Sequence, residues 1–205
     1  VARARDLTLV EDDLYGAYAM DLRLTPLARL APERCFHATS LSKTLGPGLR
    51  AGYLIAPDAG EARERALSAL HAFALGPPGL GLALASQWIE DGSAVAILDE
   101  TRAEMAARAA LAQVILGPAM ERPAAPSSLH VWLPMSEIAA ERVAARTLRG
   151  GVEVTPPGAM ILDPAMVSGL RLCLGGAADR AALERGLRVV KAALGEATEA
   201  RRDIV

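Results

Sequence analysis

The sequence predicts an α/β chain, and three observations predict it. Short apolar runs bounded by turn residues occur at residues 7–10, 34–39 and 51–56, which is the length and setting of strands. From Glu61, Leu80 and Ser93 onward, leucines and alanines recur at three- and four-residue spacing, as an amphipathic helix requires. Beyond a break marked by Gly117-Pro118 and Pro123-Ala-Ala-Pro126, a second, smaller alternation of strands and helices begins.

Taken in order, residues 1–6 read as the last turn of a helix and 7–10 as a buried strand with no earlier element to pair with. With no initiator Met, this is the beginning expected of the C-terminal part of a longer polypeptide. Residues 17–33 read as a surface connection broken by Pro26 and Pro32, with one helical turn at 27–30. Gly76-Pro77-Pro78-Gly79 stops the helix that starts at Glu61, and Gly92 stops the next. The long helix from Ser93 to Leu116 places Leu98, Met105 and Ala112 seven apart, with Glu100, Arg102, Glu104 and Arg108 interleaved. That is a packing pattern. In the smaller part, 128–133 reads as a half-buried strand, 137–148 as a helix stopped by Gly150-Gly151, and 152–155 and 169–174 as strands. Asp179 is placed to cap a last helix carrying Leu183, Leu187, Val190 and Leu194, and the charged tail from Gly195 is expected to fray.

Composition narrows the function classes. The chain has 205 residues, 52% of them hydrophobic, which is ample for a core. Its formal net charge of −2 gives no basic excess for binding nucleic acid directly. Cys35 and Cys173 each lie in an apolar strand-like run and are expected to be buried thiols. His37, His71 and His130 have no metal-ligand spacing. No apolar run approaches membrane-spanning length and the N-terminus is not signal-like, so a cytoplasmic protein is expected.

The chemistry concentrates in residues 40–52, Ser-Leu-Ser-Lys-Thr-Leu-Gly-Pro-Gly-Leu-Arg-Ala-Gly. Lys43 falls in a loop at a strand end, and Gly46, Pro47 and Gly48 sharpen that loop so that the Lys43 amine and the Arg50 guanidinium can share a target. An amine, a guanidinium and two hydroxyls suit a phosphorylated carbonyl compound, with pyridoxal 5'-phosphate (PLP) the obvious candidate. Ser-x-Ser-Lys alone is ordinary solvated loop. The full pattern resembles the cofactor-lysine segment of fold type I, class I aminotransferases, particularly the aminotransferase-like domains of MocR-type regulators in the GntR group. The resemblance implies that Lys43 carries PLP as an internal aldimine while Ser40 and Arg50 bind its phosphate, with Ser42 a further candidate.

The same resemblance gives meaning to Glu11-Asp12-Asp13-Leu14-Tyr15, which by itself reads as a solvated turn. In the family an aspartate keeps the pyridine nitrogen protonated, so that the ring can act as an electron sink. The Asp-x-x-Tyr spacing selects Asp12 over Asp13, and Tyr15, with Tyr18 as a substitute, donates to the ring oxygen. Arg171 lies mid-strand between Leu170 and Leu172. Plain alternation would make it simply the outward residue, whereas the family's Leu-Arg-Leu stretch carries the arginine that grips the substrate carboxylate bidentately.

The resemblance implies a partial PLP-dependent transferase fold type I. Residues 1–78 would be the C-terminal part of the large cofactor domain, 79–120 the interdomain helices and 121–205 a small α+β domain. The glycine-rich phosphate loop, the stacking aromatic and the ring-oxygen Asn of the family would lie upstream of residue 1, so this chain alone is expected to bind PLP weakly or not at all. Trp88-Ile-Glu-Asp-Gly92 and Leu172-Cys-Leu-Gly175 resemble the regulators more. A homodimeric regulator is therefore expected, its effector-sensing domain taking an amino acid or amine, with DNA contacted only through an absent N-terminal domain. The alternative is a free-standing class I aminotransferase.

Overall fold

The computed structural model describes residues 1–57, 60–73, 76, 79–159 and 167–199. Two compact units emerge, Val1–Thr101 and Arg102–Val205, with the boundary inside one long helix.

The first unit is built on a three-stranded sheet of order β1-β2-β3, from β1 (Leu9–Asp12), β2 (Cys35–Ser40) and β3 (Gly52–Ile55). β1 lies parallel to β2 and β3 antiparallel to it. Helices α1 (Leu27–Leu30), α2 (Gly60–Phe73) and α3 (Gly79–Glu90) come in the chain order expected. α4 (Ser93–Leu116) takes the expected bounds. Pro77 and Pro78, expected to stop α2, lie outside the described residues.

Two features of this sheet differ from expectation. β1 starts at Leu9 rather than residue 7, because its register sets Leu9 opposite Cys35 and runs on through Glu11 and Asp12. The acids that read as a turn therefore end the strand, and β2 is its partner. Nor is the strand buried: Val10 is 75% exposed, and all four residues of β3 are exposed too. Among the described residues of this unit the buried side chains are few and mostly small, including Ala31, Cys35, Ala51 and Ala85, with Tyr18 and Leu49 the largest.

The second unit holds the conventional core. Antiparallel strands β4 (His130–Pro134) and β5 (Gly169–Cys173) pair Val131 with Leu172 and Leu133 with Leu170. Those four side chains pack with Val143 of α5 (Glu137–Arg149), with Leu183, Leu187 and Val190 of α6 (Arg180–Glu199), and with Ala112 and Ile115 of α4. Local signals set the helix ends. Ser136 Oγ accepts from the Ala139 N–H, Gly150 caps the C-terminus of α5, and the Ala182 N–H donates to Asp179 Oδ1 at 2.7 Å. α6 continues past Gly195, the expected start of fraying, to Glu199, and residues 200–205 lie outside the described residues.

Two expectations fail here, and one helical charge takes an unforeseen role. Residues 152–155 form no strand, only a single bridge from Thr155 to Arg171, so the second sheet has two strands. Cys173 is exposed, unlike buried Cys35, because the two-residue period of β5 turns Leu170 and Leu172 inward and Arg171 and Cys173 outward. Arg108, one of the interleaved charges of α4, is buried. It donates to the carbonyls of Leu174 at 2.9 Å and Ala177 at 2.8 Å and to Glu104 at 2.7 Å, while Glu104 also receives Arg180 at 2.6 Å. This charged clasp ties the turn between β5 and α6 to α4, and its hydrogen bonds offset the cost of burying a guanidinium.

Candidate functional site

The sheet's geometry assembles the site at one end. Because β1 and β2 are parallel, their carboxyl ends, Asp12 and Ser40, lie at the same edge, and β3 begins there, with Gly52 opposite Ser40. The carboxyl end of parallel strands is where α/β sheets open toward ligands. Register also fixes the face: Asp12 lies opposite Ala38, and Ser40 comes two residues later, so Asp12 and Ser40 share one face of the sheet.

Glu11 and Asp13 take the other face. His37 lies between them, its Nδ1 3.1 Å from Glu11 Oε2 and its Nε2 3.6 Å from Asp13 Oδ2. Glu11 also accepts the N–H groups of Leu27 at 2.8 Å and Ala28 at 3.0 Å, which holds α1 to the sheet. Burial pushes the Glu11 carboxyl up, but those two N–H groups and His37 outweigh it and leave the group below its ordinary range. Of the three acids, Asp12 alone stays on the Ser40 face, where its Oδ1 accepts from the Leu14 N–H at 3.3 Å and its side chain is exposed.

Between β2 and β3 the chain makes the tight loop that carries Lys43. Its backbone is closed by Leu45 and Gly46 N–H groups donating to the Leu41 carbonyl at 2.9 and 3.0 Å. The Ser40 hydroxyl lies 3.0 Å from that of Ser42 and accepts the Ser42 N–H at 3.1 Å, so both hydroxyls sit together at the strand end. Lys43 and Arg50 are exposed, and neither makes an ion pair with another described residue. Arg50 adopts a left-handed backbone at φ 48°, turning the chain out of a 3-10 turn at Pro47–Leu49 and into β3.

Two glycines permit the close approaches that hold this loop. A Cβ at Gly52 would meet the Thr39 carbonyl oxygen at 2.7 Å, and one at Gly81 would meet the Leu49 carbonyl oxygen at 2.1 Å. Without a side chain at Gly81, α3 can brace the bend that presents Arg50. Tyr15, at 42% exposure, lies in the turn that follows Asp12. Tyr18 does not serve as its substitute, because its side chain is buried and its hydroxyl donates to the main-chain carbonyl of Lys43. Spacing alone misses that role, and it also misses the Glu11–His37–Asp13 cluster, since it leaves the histidine isolated. The strand alternation that pairs Glu11 with His37 is the available signal.

The six site residues of the first unit thus fall in one region of the chain trace, the adjoining ends of β1 and β2 and the segments that follow them. Its donor set fits PLP: an amine, a guanidinium without a described counter-ion, two adjoining hydroxyls, and a carboxylate on the Ser40 face. Arg171 belongs to the second unit. It lies on the outward face of β5 opposite Trp132, with its Nη2 donating to Thr155 Oγ1 at 3.4 Å. Plain alternation is thus what the strand displays, and the guanidinium is exposed. Beside it, residues 151–156, β5 and α6 line a cleft of about 670 Å³.

Among the described residues no cluster of His, Cys, Asp or Glu could hold a metal ion, and no helix is long and apolar enough to cross a membrane. A comparison with curated proteins finds no match in sequence. Solved structures do match in fold. An α-aminoadipate aminotransferase (LysN) from Thermus thermophilus, crystallised with N-(5'-phosphopyridoxyl)-L-leucine, is 24% identical with a TM-score of 0.81, over 97% of this chain and 53% of its own. An aromatic aminotransferase from Pyrococcus horikoshii is 21% identical with a TM-score of 0.82, over 96% and 53%. An archaeal alanine:glyoxylate aminotransferase is 24% identical with a TM-score of 0.81, over 95% and 49%. This chain therefore spans about half the length of the structures it matches, and its fold is that of the corresponding part of a PLP-dependent fold type I aminotransferase. The family model for aminotransferase class I and II matches residues 1–190, and the chain belongs to that family.

Proposed function

We propose that this chain supplies the lysine-bearing wall of a PLP site whose ligand is an amino acid or amine. The observation that supports the reading is the register that sets Asp12 and Ser40 on one face at the carboxyl ends of a parallel strand pair, with Lys43 and Arg50 in the segment that links Ser40 to β3. When bound, the cofactor supplies an aldehyde that exchanges amines and a ring that draws electrons from the carbon bearing the amine. The Lys43 amine would hold that aldehyde covalently and, once displaced, move the proton at the ligand's α carbon. Ser40, Ser42 and Arg50 would hold the phosphate. Asp12 would keep the proton on the pyridine nitrogen, Tyr15 would donate its O–H to the ring oxygen, and Arg171 would hold a carboxylate of the ligand.

In the first reading the full-length protein is a cytoplasmic homodimeric aminotransferase moving an amino group between an amino acid and a 2-oxo acid. The matched solved structures, aminotransferases by description, support it. In the second, the same site senses an amino compound for a GntR/MocR-type regulator and biases its affinity for DNA through another domain. Residues 88–92 and 172–175 support that one. The test incubates the full-length protein with PLP, a panel of amino acids and 2-oxoglutarate, and measures both amino-group transfer and DNA binding. Transfer that Lys43→Ala abolishes selects the aminotransferase. Amine-dependent DNA affinity without transfer, lost in the same variant, selects the regulator. Both effects absent from the wild type would overturn the proposal.

A further inference from the structure

The end of β1 with the turn after it, which carry Asp12 and Tyr15, and the loop that carries Lys43 are separate stretches of chain, 25 residues apart at their point of contact. That contact is the phenol of Tyr18. Its ring ends the 3-10 turn at Gly16–Tyr18, where the Tyr18 N–H donates to the Tyr15 carbonyl at 2.9 Å, so its position is tied to the first turn. Among the described residues of the first unit its side chain is the largest buried one, with the residue 3% exposed, and its hydroxyl donates to the carbonyl of Lys43 itself. The backbone bonds that close the loop go instead to the Leu41 carbonyl.

We infer that Tyr18 is a positioning residue: its O–H fixes the main chain at Lys43 against the turn that follows Asp12 and so sets where the lysine amine can reach. The consequence for cofactor capture rests on Lys43 being the PLP lysine, whereas the positioning itself does not. Burial raises the Tyr18 pKa, so the phenol remains a donor through neutral and mildly alkaline pH. The contact is part-buried, so a Lys43 carbonyl without this donor loses a constraint on its orientation, and the side chain of the same residue moves with it.

Tyr18→Phe removes the O–H and keeps the ring, so packing is retained. In the full-length protein without cofactor, hydrogen exchange at residues 42–46 is expected to accelerate about three- to tenfold, the range that one neutral hydrogen bond supports. In the second measurement, borohydride traps PLP over a range of concentrations. The half-saturating concentration is expected to rise by a similar factor, while the amount trapped at saturation stays that of the wild type. A merely structural role would lower the saturating amount instead, through loss of folded protein. Exchange at 42–46 equal to the wild type overturns the inference, as does faster exchange with an unchanged half-saturating concentration. If the wild type traps no PLP at all, the cofactor reading fails and the exchange measurement alone decides the role of Tyr18.

Discussion

The two units hold their shape by different means. In the second, Leu133, Leu170 and Leu174 are fully buried, and α4, α5 and α6 all contribute side chains to the core around the β4–β5 pair. In the first, the strands that carry the candidate chemistry expose Val10, Leu54 and Ile55, and what fixes the site is polar and local. Glu11 clamps α1, His37 sorts the acids, Tyr18 straps the lysine loop, and bare glycines let backbones touch. Apolar burial is non-directional and stabilises a unit as a whole, whereas hydrogen bonds and close approaches set the direction of particular side chains. A reactive group needs the second kind of support even where the first is thin.

The sharpest way to break this contrast is a matched pair of truncations. Leu133→Ala is expected to destabilise its unit by about 2–5 kcal/mol, from lost transfer energy and a cavity. Leu54→Ala, on the exposed sheet, is expected to stay within about 0.5 kcal/mol. Urea denaturation of both variants checks this, and equal losses would mean that Leu54 is covered in solution. The next effect is Arg108→Ala, expected to cost about 3 kcal/mol, because it strands the Leu174 and Ala177 carbonyls and strips Glu104 of a partner. The same measurement reads it, and a loss below about 1 kcal/mol would show that water replaces the clasp.

A subtler contrast is in acid. Hydrogen bonds from Arg180 and then Arg108 hold the Glu104 carboxyl down to about 2, and Arg3 does the same for Glu33 in the first unit, also to about 2. A carboxyl depressed on folding stabilises above its unfolded value, near 4.5, and that contribution is lost as pH falls toward 2. The Glu33 partner Arg3 is largely exposed, whereas Glu104 serves the buried Arg108. Glu104→Gln is therefore expected to flatten the fall in denaturation midpoint between about pH 4.5 and 2 more than Glu33→Gln does. A larger effect at Glu33 would reverse the assignment.

Legibility in the sequence divides along the same line. Helix bounds set by Gly150, Asp179 and Gly92 are readable because caps and breakers act within a turn of their own residue. The lysine loop is readable from its glycines, proline and resemblance. Arg108 is not, since its partners Leu174 and Ala177 lie 66 and 69 residues away, and a helical charge looks the same whether it meets water or buried carbonyls. Residues 152–155 have strand composition, but pairing depends on a neighbour's edge and only Thr155 bridges to β5. Cys173 is misplaced when its apolar neighbours are counted and the strand's parity is not. The extent of β1 is hidden because its register is set by Cys35 and Phe36 on another strand.

The central claim concerns Lys43 and the strand ends around it. The direct test loads the full-length protein with PLP, reduces it with borohydride, and maps the pyridoxyl label by peptide mass spectrometry in the wild type, Lys43→Ala and Arg50→Ala. The expected result is a single label on the peptide containing Lys43, absent in Lys43→Ala and present in Arg50→Ala only at higher PLP concentration. A label on Lys191, the other lysine of this sequence, or labelling that survives Lys43→Ala, would contradict it.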